Sequence, residues 1–291
     1  MPELPEVETI NRGLKKLIIS KRILSISSDW QKSFNYDQEQ LNKNVINRTI
    51  LDVSRRGKLL IITLDNEYSL LIHLKMTGQL VYQDQGTRFG AGHPNDSLVN
   101  KLPDKSTRVI ITFKDNSILY FNDQRKFGWI KIVNKTEYKN FSFLNSLGPE
   151  PLSEAFTVAK FKNRLLLRQN SEIKSVLLDQ KIIAGIGNIY TDESLWMSEI
   201  HPSTKVNKLT NTKIKLLLDS IKYILRLSLE KGGSSDRNYV NAEGKKGSYI
   251  EFANVYKKQN QLCPRCKKQK ILKIRVASRG THICPYCQRV Q

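Results

Sequence analysis

No stretch of this chain approaches the ~20 consecutive apolar residues that a membrane-spanning helix needs. No basic amphipathic helix with an exposed aromatic face is evident, which argues against a membrane-surface protein. The first twenty residues carry Glu3, Glu6 and Glu8, and acidic residues there exclude a secretory signal peptide. The expected location is therefore the cytoplasm, at the nucleoid. Cysteine is scarce: there are four, all at or beyond position 263. Acidic residues are the minority charge, 27 against 48 Lys plus Arg, which leaves a net charge of +21. An excess of that size implies a polyanionic partner, bound less tightly as salt rises. Part of the Lys and Asn abundance reflects genomic habit, so charge alone does not name the partner. No internal repeat is present.

At 291 residues the chain is long enough for two domains. Apolar residues Leu4, Val7, Ile10, Leu14, Leu17 and Ile18 recur every three or four positions, which predicts a helix over 3–18 with one buried face. Its acidic first turn suits a helix N-terminus. Strand-like runs follow at 22–28, 49–54, 59–65, 68–75 and 79–83. Residues 84–105 are rich in Gly, Asp, Asn and Pro and read as a long loop. Further strands are expected at 107–113, 118–122 and 128–133, and short turns between them suggest an antiparallel β-sandwich. Leu147-Gly148-Pro149-Glu150-Pro151 reads as a linker. Beyond it the period becomes helical at 157–168, 171–179, 188–198 and 210–231, the last stopped by Gly232-Gly233.

The four cysteines form Cys263-x-x-Cys266 and Cys284-x-x-Cys287, separated by a basic stretch. In a reducing compartment this spacing predicts four thiolates around one tetrahedral Zn2+ rather than disulfides. No ligand position is left open, so the metal is expected to be structural and to staple a hairpin too small to fold alone. Lys267, Lys268, Lys270, Lys273, Arg275 and Arg279 make that hairpin a nucleic-acid contact candidate, with a solvated charged face as the plainer reading.

The chain opens Met1-Pro2-Glu3-Leu4-Pro5-Glu6-Val7-Glu8-Thr9. Removal of Met1 would leave Pro2 with a free secondary amine beside a carboxylate. Such an amine attacks an aldehyde-like carbon and forms a covalent iminium. Taken alone, Pro2 and Pro5 could equally do no more than stiffen the entry to the first helix.

Together these segments resemble bacterial formamidopyrimidine-DNA glycosylase, a base-excision repair family that removes oxidised purines. The resemblance rests on MPELPEVET (1–9), SRRGKLL (54–60), HLKMTGQL (73–80), NDQRKFG (122–128) and LGPEPL (147–152). It continues in LLDQKIIAGIGNIYTDESLW (177–196), GSSDRNYVNAEGKKGSY (233–249) and SRGTHIC (278–284). It implies an α+β, two-lobed chain. Residues 1–135 would form an N-terminal helix and antiparallel β-sandwich, with a linker at 136–155. Residues 156–255 would form a helix–two-turn–helix domain with a lesion-capping loop at 233–250, and 256–291 the four-cysteine zinc finger.

The resemblance also implies roles. Pro2 matches the nucleophile that attacks the sugar C1′, Glu3 the acid that helps open the ring, and Glu6 a second carboxylate that orients sugar or lesion. For Glu8 the preferred reading is helix N-terminal charge. Lys58 matches a β-lobe lysine that contacts phosphate and assists elimination. Arg279 matches the finger arginine that clamps the phosphates flanking the lesion, a task suited to a guanidinium fork. Met76, Arg125 and Phe127 match the residues that fill the gap left by the extruded nucleotide, with Arg125 facing the orphaned cytosine; without the family, core packing is an equal reading for Met76 and Phe127. Asn188 and nearby amides would hold phosphate, and His93 aligns with a DNA-contacting histidine. Where many relatives carry Lys or Arg, this chain has Gln169, with Arg168 beside it as a candidate contact. The expected partner is double-stranded DNA containing oxidised bases or abasic sites, with no membrane, and a monomer is expected. Two other readings are an endonuclease VIII-like enzyme for oxidised pyrimidines and a non-catalytic zinc-finger DNA-binding protein. The stretch 234–240 favours the purine enzyme, and mere binding requires neither Pro2, Glu3 nor Lys58.

Overall fold

The computed structural model describes residues 1–93, 95–234 and 249–290. The predicted first helix is α1 (Leu4–Ile18). Pro5 sits in its first turn, where a missing N–H leaves no hydrogen bond unmade. Glu6 lies in the first turn and Lys15 and Lys16 in the last, as the helix dipole favours. Leu4, Val7, Ile10, Leu14 and Ile18 are all closed to solvent.

The strands that follow are β1 (Ile23–Ser28), β2 (Ile50–Arg56), β3 (Leu59–Leu64), β4 (Tyr68–His73) and β5 (Gly78–Gln83). Then come β6 (Arg88–Gly92), β7 (Thr107–Phe113), β8 (Ile118–Asp123) and β9 (Trp129–Asn134). They build two antiparallel sheets, one in the order β1-β7-β8-β5-β6 and the other β2-β3-β4-β9. Alternate residues of both sheets meet in one core: Leu60, Ile62, Leu70 and Ile72 from the second, Leu80, Tyr82, Val109, Ile111, Leu119 and Phe121 from the first. This is the predicted sandwich. Each such side chain contributes about 1.5–3 kcal/mol when removed from water, so this part of the fold stands without a metal.

One strand and two short α-helices of this first part were not foreseen. Strand β6 runs through the expected 84–105 loop, because Phe89 and Ala91 alternate inward while Gly90 and Gly92 mask the pattern. Phe89 also explains Gly13: a Cβ there would lie 2.2 Å from the ring, so α1 can cross β6 closely only without one. The short helix α2 (Gln38–Asn44) is started by Asp37, whose carboxylate accepts from the amides of Glu39 and Gln40. Helix α3 (Ser142–Ser146) follows Tyr138 and Phe141, and this segment packs Phe143 and Leu144 over the outer face of β3, β4 and β9.

The helical part contains α4 (Val158–Leu166), α5 (Ile173–Leu178), α6 (Asn188–Met197), α7 (Asn211–Glu230) and α8 (Tyr249–Phe252). The hairpin of β10 (Leu272–Val276) and β11 (Arg279–Ile283) closes the described chain. Two compact units result: Met1–Asn145 with Lys231–Ser248, and Ser146–Glu230 with Tyr249–Gln291. The expected capping loop at 233–250 lies largely outside the described residues. Among those described, Gly233 and Ser234 pack in the first unit and Tyr249 and Ile250 begin α8. No helix among the described residues is long and apolar enough to cross a membrane.

Candidate active site and nucleic-acid interface

The first unit gathers its charged candidates at the start of α1. Pro2 is buried, and Glu3, Glu6 and Lys58 are only 4%, 6% and 5% exposed. Glu6 reaches in two directions. Its Oε2 accepts from the Glu3 amide at 2.8 Å, and its Oε1 accepts from the Ser234 amide at 2.7 Å. Gly233 adopts φ +91°, which favours glycine, and lets the chain pass against Glu6. Lys58 is carried by the turn between β2 and β3, where Gly57 has φ +59°. Burial lowers the pKa of the Met1 α-amine from its usual value; Glu3 and Glu6 oppose the shift, and Lys58 and Arg125 add to it. Four of the candidate side chains therefore act electrostatically on the chain's first amine. Glu8 lies apart, paired with Arg12 at 2.9 Å and Arg55 at 2.8 Å, which fits a helix-surface role.

His93 is half-buried, and its pKa is lowered by burial and by the nearby chain amine. Met76 sits in the turn before β5. Arg125 and Phe127 sit in the turn after β8, both on the surface, with the guanidinium 4.8 Å from the Phe127 ring centre. Phe127 is 51% exposed, so core packing does not account for it. Lys126 between them has φ +58° and places its ammonium 4.1 Å from the Trp30 ring centre, which steadies the turn.

The second unit holds the remaining candidates. Asn188 is the first residue of α6. The loop before it is fastened by Gln180, whose Nε2 donates to the Ile186 carbonyl at 2.7 Å and whose Oε1 accepts from the Gly185 amide at 2.9 Å. Gly185 has φ +87°. This presents the helix N-terminus, a ready anion site. The Asn188 Nδ2 donates to the Gly280 carbonyl at 3.0 Å, beside the exposed Arg279. Arg279 follows a two-residue turn in which Ala277 (φ +51°) and Ser278 (φ +59°) are both left-handed. Arg168 pairs with Asp179 at 3.2 Å and is half exposed.

Sequence reasoning missed the network that sets this hairpin in place. Lys174 and Asp192 are wholly buried and 2.6 Å apart. The Lys174 ammonium also donates to the Thr281 hydroxyl at 2.6 Å, and Asp192 accepts from the His282 amide at 2.9 Å. Next to them Glu193 is buried and accepts from the amides of Asn254, Val255 and Tyr256. Burial pushes its carboxyl above the ordinary range, and the amide donors pull the other way. The one available signal was three charged residues inside segments patterned as buried helix.

The sulfurs of Cys263, Cys266, Cys284 and Cys287 lie within 4.8 Å of one another. Two of the distances are 3.9 Å (Cys263–Cys287) and 3.7 Å (Cys266–Cys284). Thiolates bound tetrahedrally at ~2.3 Å stand ~3.8 Å apart, so the donor set fits a four-thiolate metal. Trp196 and Ile271 wall the cluster, and Arg265 stacks on Trp196 at 4.2 Å.

Residues 1–130 match the formamidopyrimidine-DNA glycosylase N-terminal domain, and residues 147–239 match the H2TH domain of the same enzyme. The formamidopyrimidine-DNA glycosylase of Ligilactobacillus salivarius is 38% identical over 291 residues, covering 100% of both chains. The chain belongs to the formamidopyrimidine-DNA glycosylase family. It is accordingly an enzyme of DNA base-excision repair. Among solved structures, the Lactococcus lactis Fpg bound to DNA containing an abasic site is similar, with TM-score 0.86 and 35% identity over 99% of both chains. The same Fpg bound to DNA carrying N7-benzyl-Fapy-dG is similar too, with TM-score 0.85 and 36% identity over 99% of this chain and 100% of that one.

Proposed function

We propose that this chain removes oxidised purines, 8-oxoguanine and formamidopyrimidines, and then cuts the strand as an AP lyase. The reading is carried by the burial of Pro2, Glu3, Glu6 and Lys58 at the start of the chain. An α-amine ordinarily titrates at ~8, so an appreciable fraction of a terminal proline is neutral and nucleophilic at pH 7. Once Met1 is removed, the Pro2 nitrogen attacks C1′ of the damaged nucleotide; the C1′–base bond breaks, the base leaving with the proton that the nitrogen gives up, and Glu3 protonates the sugar ring oxygen as the C1′–O bond breaks and the ring opens. The iminium formed withdraws electrons and acidifies the C2′ proton. Loss of that proton expels the 3′ phosphate, and a second elimination expels the 5′ phosphate. Lys58 and Arg279 bind phosphate and favour those departures. Asn188 and the α6 amides, with His93 and Arg168, hold the DNA backbone. Glu6 orients the sugar or lesion.

Met76, Arg125 and Phe127 occupy the gap left by the flipped nucleotide, and Arg125 reads the cytosine left behind. Arg125→Ala is expected to lower the preference for cytosine over adenine opposite the lesion by roughly tenfold or more, the cost of one charged hydrogen bond. Single-turnover excision from the two duplexes checks this; an unchanged preference contradicts the role.

The four thiolates hold one Zn2+, which fixes the finger that carries Arg279. Cys266→Ser is expected to release the metal and to weaken binding to an abasic-site analogue, measured by metal analysis and titration. Unchanged affinity in the metal-free variant would count against the finger as a DNA contact. The partner is duplex DNA with oxidised bases or abasic sites, engaged by a monomer in the cytoplasm at the nucleoid. Incubating processed protein with duplexes carrying 8-oxoguanine or an oxidised pyrimidine tests the substrate. Faster excision of the purine is expected; faster excision of the pyrimidine would favour the endonuclease VIII-like reading.

A further inference from the structure

Met76 lies in the turn that enters β5, and Arg125 and Phe127 lie in the turn that leaves β8. These strands are hydrogen-bonded neighbours, and Gly78 pairs with Asp123, so both turns sit at one end of the same sheet. The Asp123 side chain is fully buried and joins them. Its Oδ1 accepts a hydrogen bond from the Thr77 hydroxyl and another from the Arg125 amide at 3.2 Å. The Arg125 amide also reaches the Thr77 oxygen at 3.0 Å. The second carboxylate oxygen accepts from the Gly128 amide at 2.7 Å, at the far end of the turn. Behind it, the buried Arg108 donates from Nε to the Asp123 carbonyl at 3.0 Å.

The outer ends are pinned as well. His73 Nδ1 accepts from the amide of Lys75, a residue at φ +51°. Gly128 admits no side chain, since a Cβ would stand 2.6 Å from the Phe121 ring. Arg125 itself is exposed and stacked on Phe127. Its aim is thus set by its backbone, and its backbone amide is gripped by Thr77 and Asp123. None of the proposed chemical steps uses either residue.

We propose that Thr77 and Asp123 are positioning residues: they lock the Met76 turn to the Arg125–Phe127 turn, and discrimination of the base opposite the lesion depends on that lock. The inference rests on the reading of Arg125 given above. A rigid pair of turns enters the duplex without first being ordered, and it can refuse a purine that a loose turn would accommodate.

The test compares excision of 8-oxoguanine opposite cytosine and opposite adenine for the parent, Thr77→Val, Thr77→Ser, Arg125→Ala and Thr77→Val/Arg125→Ala. Valine keeps the shape and removes the hydroxyl, whereas serine keeps the hydroxyl. Thr77→Val should lower the cytosine-over-adenine ratio about tenfold, the scale of one hydrogen bond to a charged group. Thr77→Ser should stay within about twofold of the parent, and the double variant should fall no further than Arg125→Ala alone. Borohydride trapping on an abasic site should survive in Thr77→Val, which separates lost discrimination from lost fold. If Thr77→Val does not fold, Thr77→Ala carries the same test with the same expected ratio.

A parental ratio in Thr77→Val with a reduced one in Arg125→Ala would overturn the lock and leave the reading of Arg125 standing. A parental ratio in Arg125→Ala would overturn that reading and the lock with it. Additive losses in the double variant would show Thr77 acting elsewhere, which also overturns the lock.

Discussion

Protein that keeps Met1 is expected to cut abasic-site DNA at least roughly a thousandfold more slowly than processed protein, the scale on which enzymes lose rate when a covalent nucleophile is removed. With Met1 in place, the Pro2 nitrogen belongs to a tertiary amide. Its lone pair is delocalised into the carbonyl and cannot attack carbon. The Met1 amine is a primary amine in the same surroundings, so it is a substitute to consider. It stands one residue, ~3.8 Å, before the Pro2 position. Misplacement by ~1 Å already costs about a hundredfold, so the substitute does not rescue the reaction. DNA affinity should be retained, because the proposed phosphate contacts do not involve this amine. The check is strand cleavage and titration on the two fractions, separated by intact mass. Equal cleavage by both would contradict the assignment of Pro2.

Lys174→Met is expected to lower the melting midpoint of the second unit by about 10 °C, from a loss of roughly 3–5 kcal/mol. Lys174 and Asp192 are both closed to water, so their 2.6 Å contact compensates two expensive burials. Methionine fills the space of the lysine stem but leaves the Asp192 carboxylate inside without its cation. The hydroxyl of Thr281 loses its donor at the same time. Replacing both partners by apolar residues should recover most of the loss, since the buried charge then disappears. Scanning calorimetry of the single and double variants decides it. A single variant melting within about 2 °C of the parent would contradict the account. The single variant should also bind DNA less well, because Lys174 and Asp192 grip the strand that Arg279 begins.

Much of the fold is legible because its signals are local. The short apolar runs of β3 and β4 mark strands, the three-to-four spacing of α1 marks its buried face, and the sandwich and helices follow. Strand β6 escapes because two glycines in five residues read as a loop while Phe89 does the packing. Helix α2 escapes because only Leu41 and Asn44 of its seven residues are buried, which is too little pattern to count. The cysteine cluster is legible from spacing alone, and its sulfurs converge.

The site divides in the same way. Glu3, Glu6 and Lys58 stand in motifs near the chain start, yet only the structure shows that all three are buried. Phe127 could have been core from sequence; its exposure and the Arg125 stack decide otherwise. The partners of Asp123, Lys174 and Glu193 were not legible. Thr77 lies 46 residues from Asp123, Thr281 107 from Lys174 and Val255 62 from Glu193, and a buried charge inside a helical or strand pattern does not announce which distant residue will satisfy it. Likewise the amide of Ser234 meets Glu6 across most of the chain's length.

The account turns on which nitrogen becomes bonded to the damaged nucleotide. Reducing a reaction of processed protein and abasic-site DNA with borohydride, digesting it, and sequencing the adduct peptide by mass spectrometry answers this directly. The sugar remnant is expected on the N-terminal peptide, at the nitrogen of Pro2. Its appearance on Lys58 or any other lysine, or a failure to form any adduct, would contradict the mechanism.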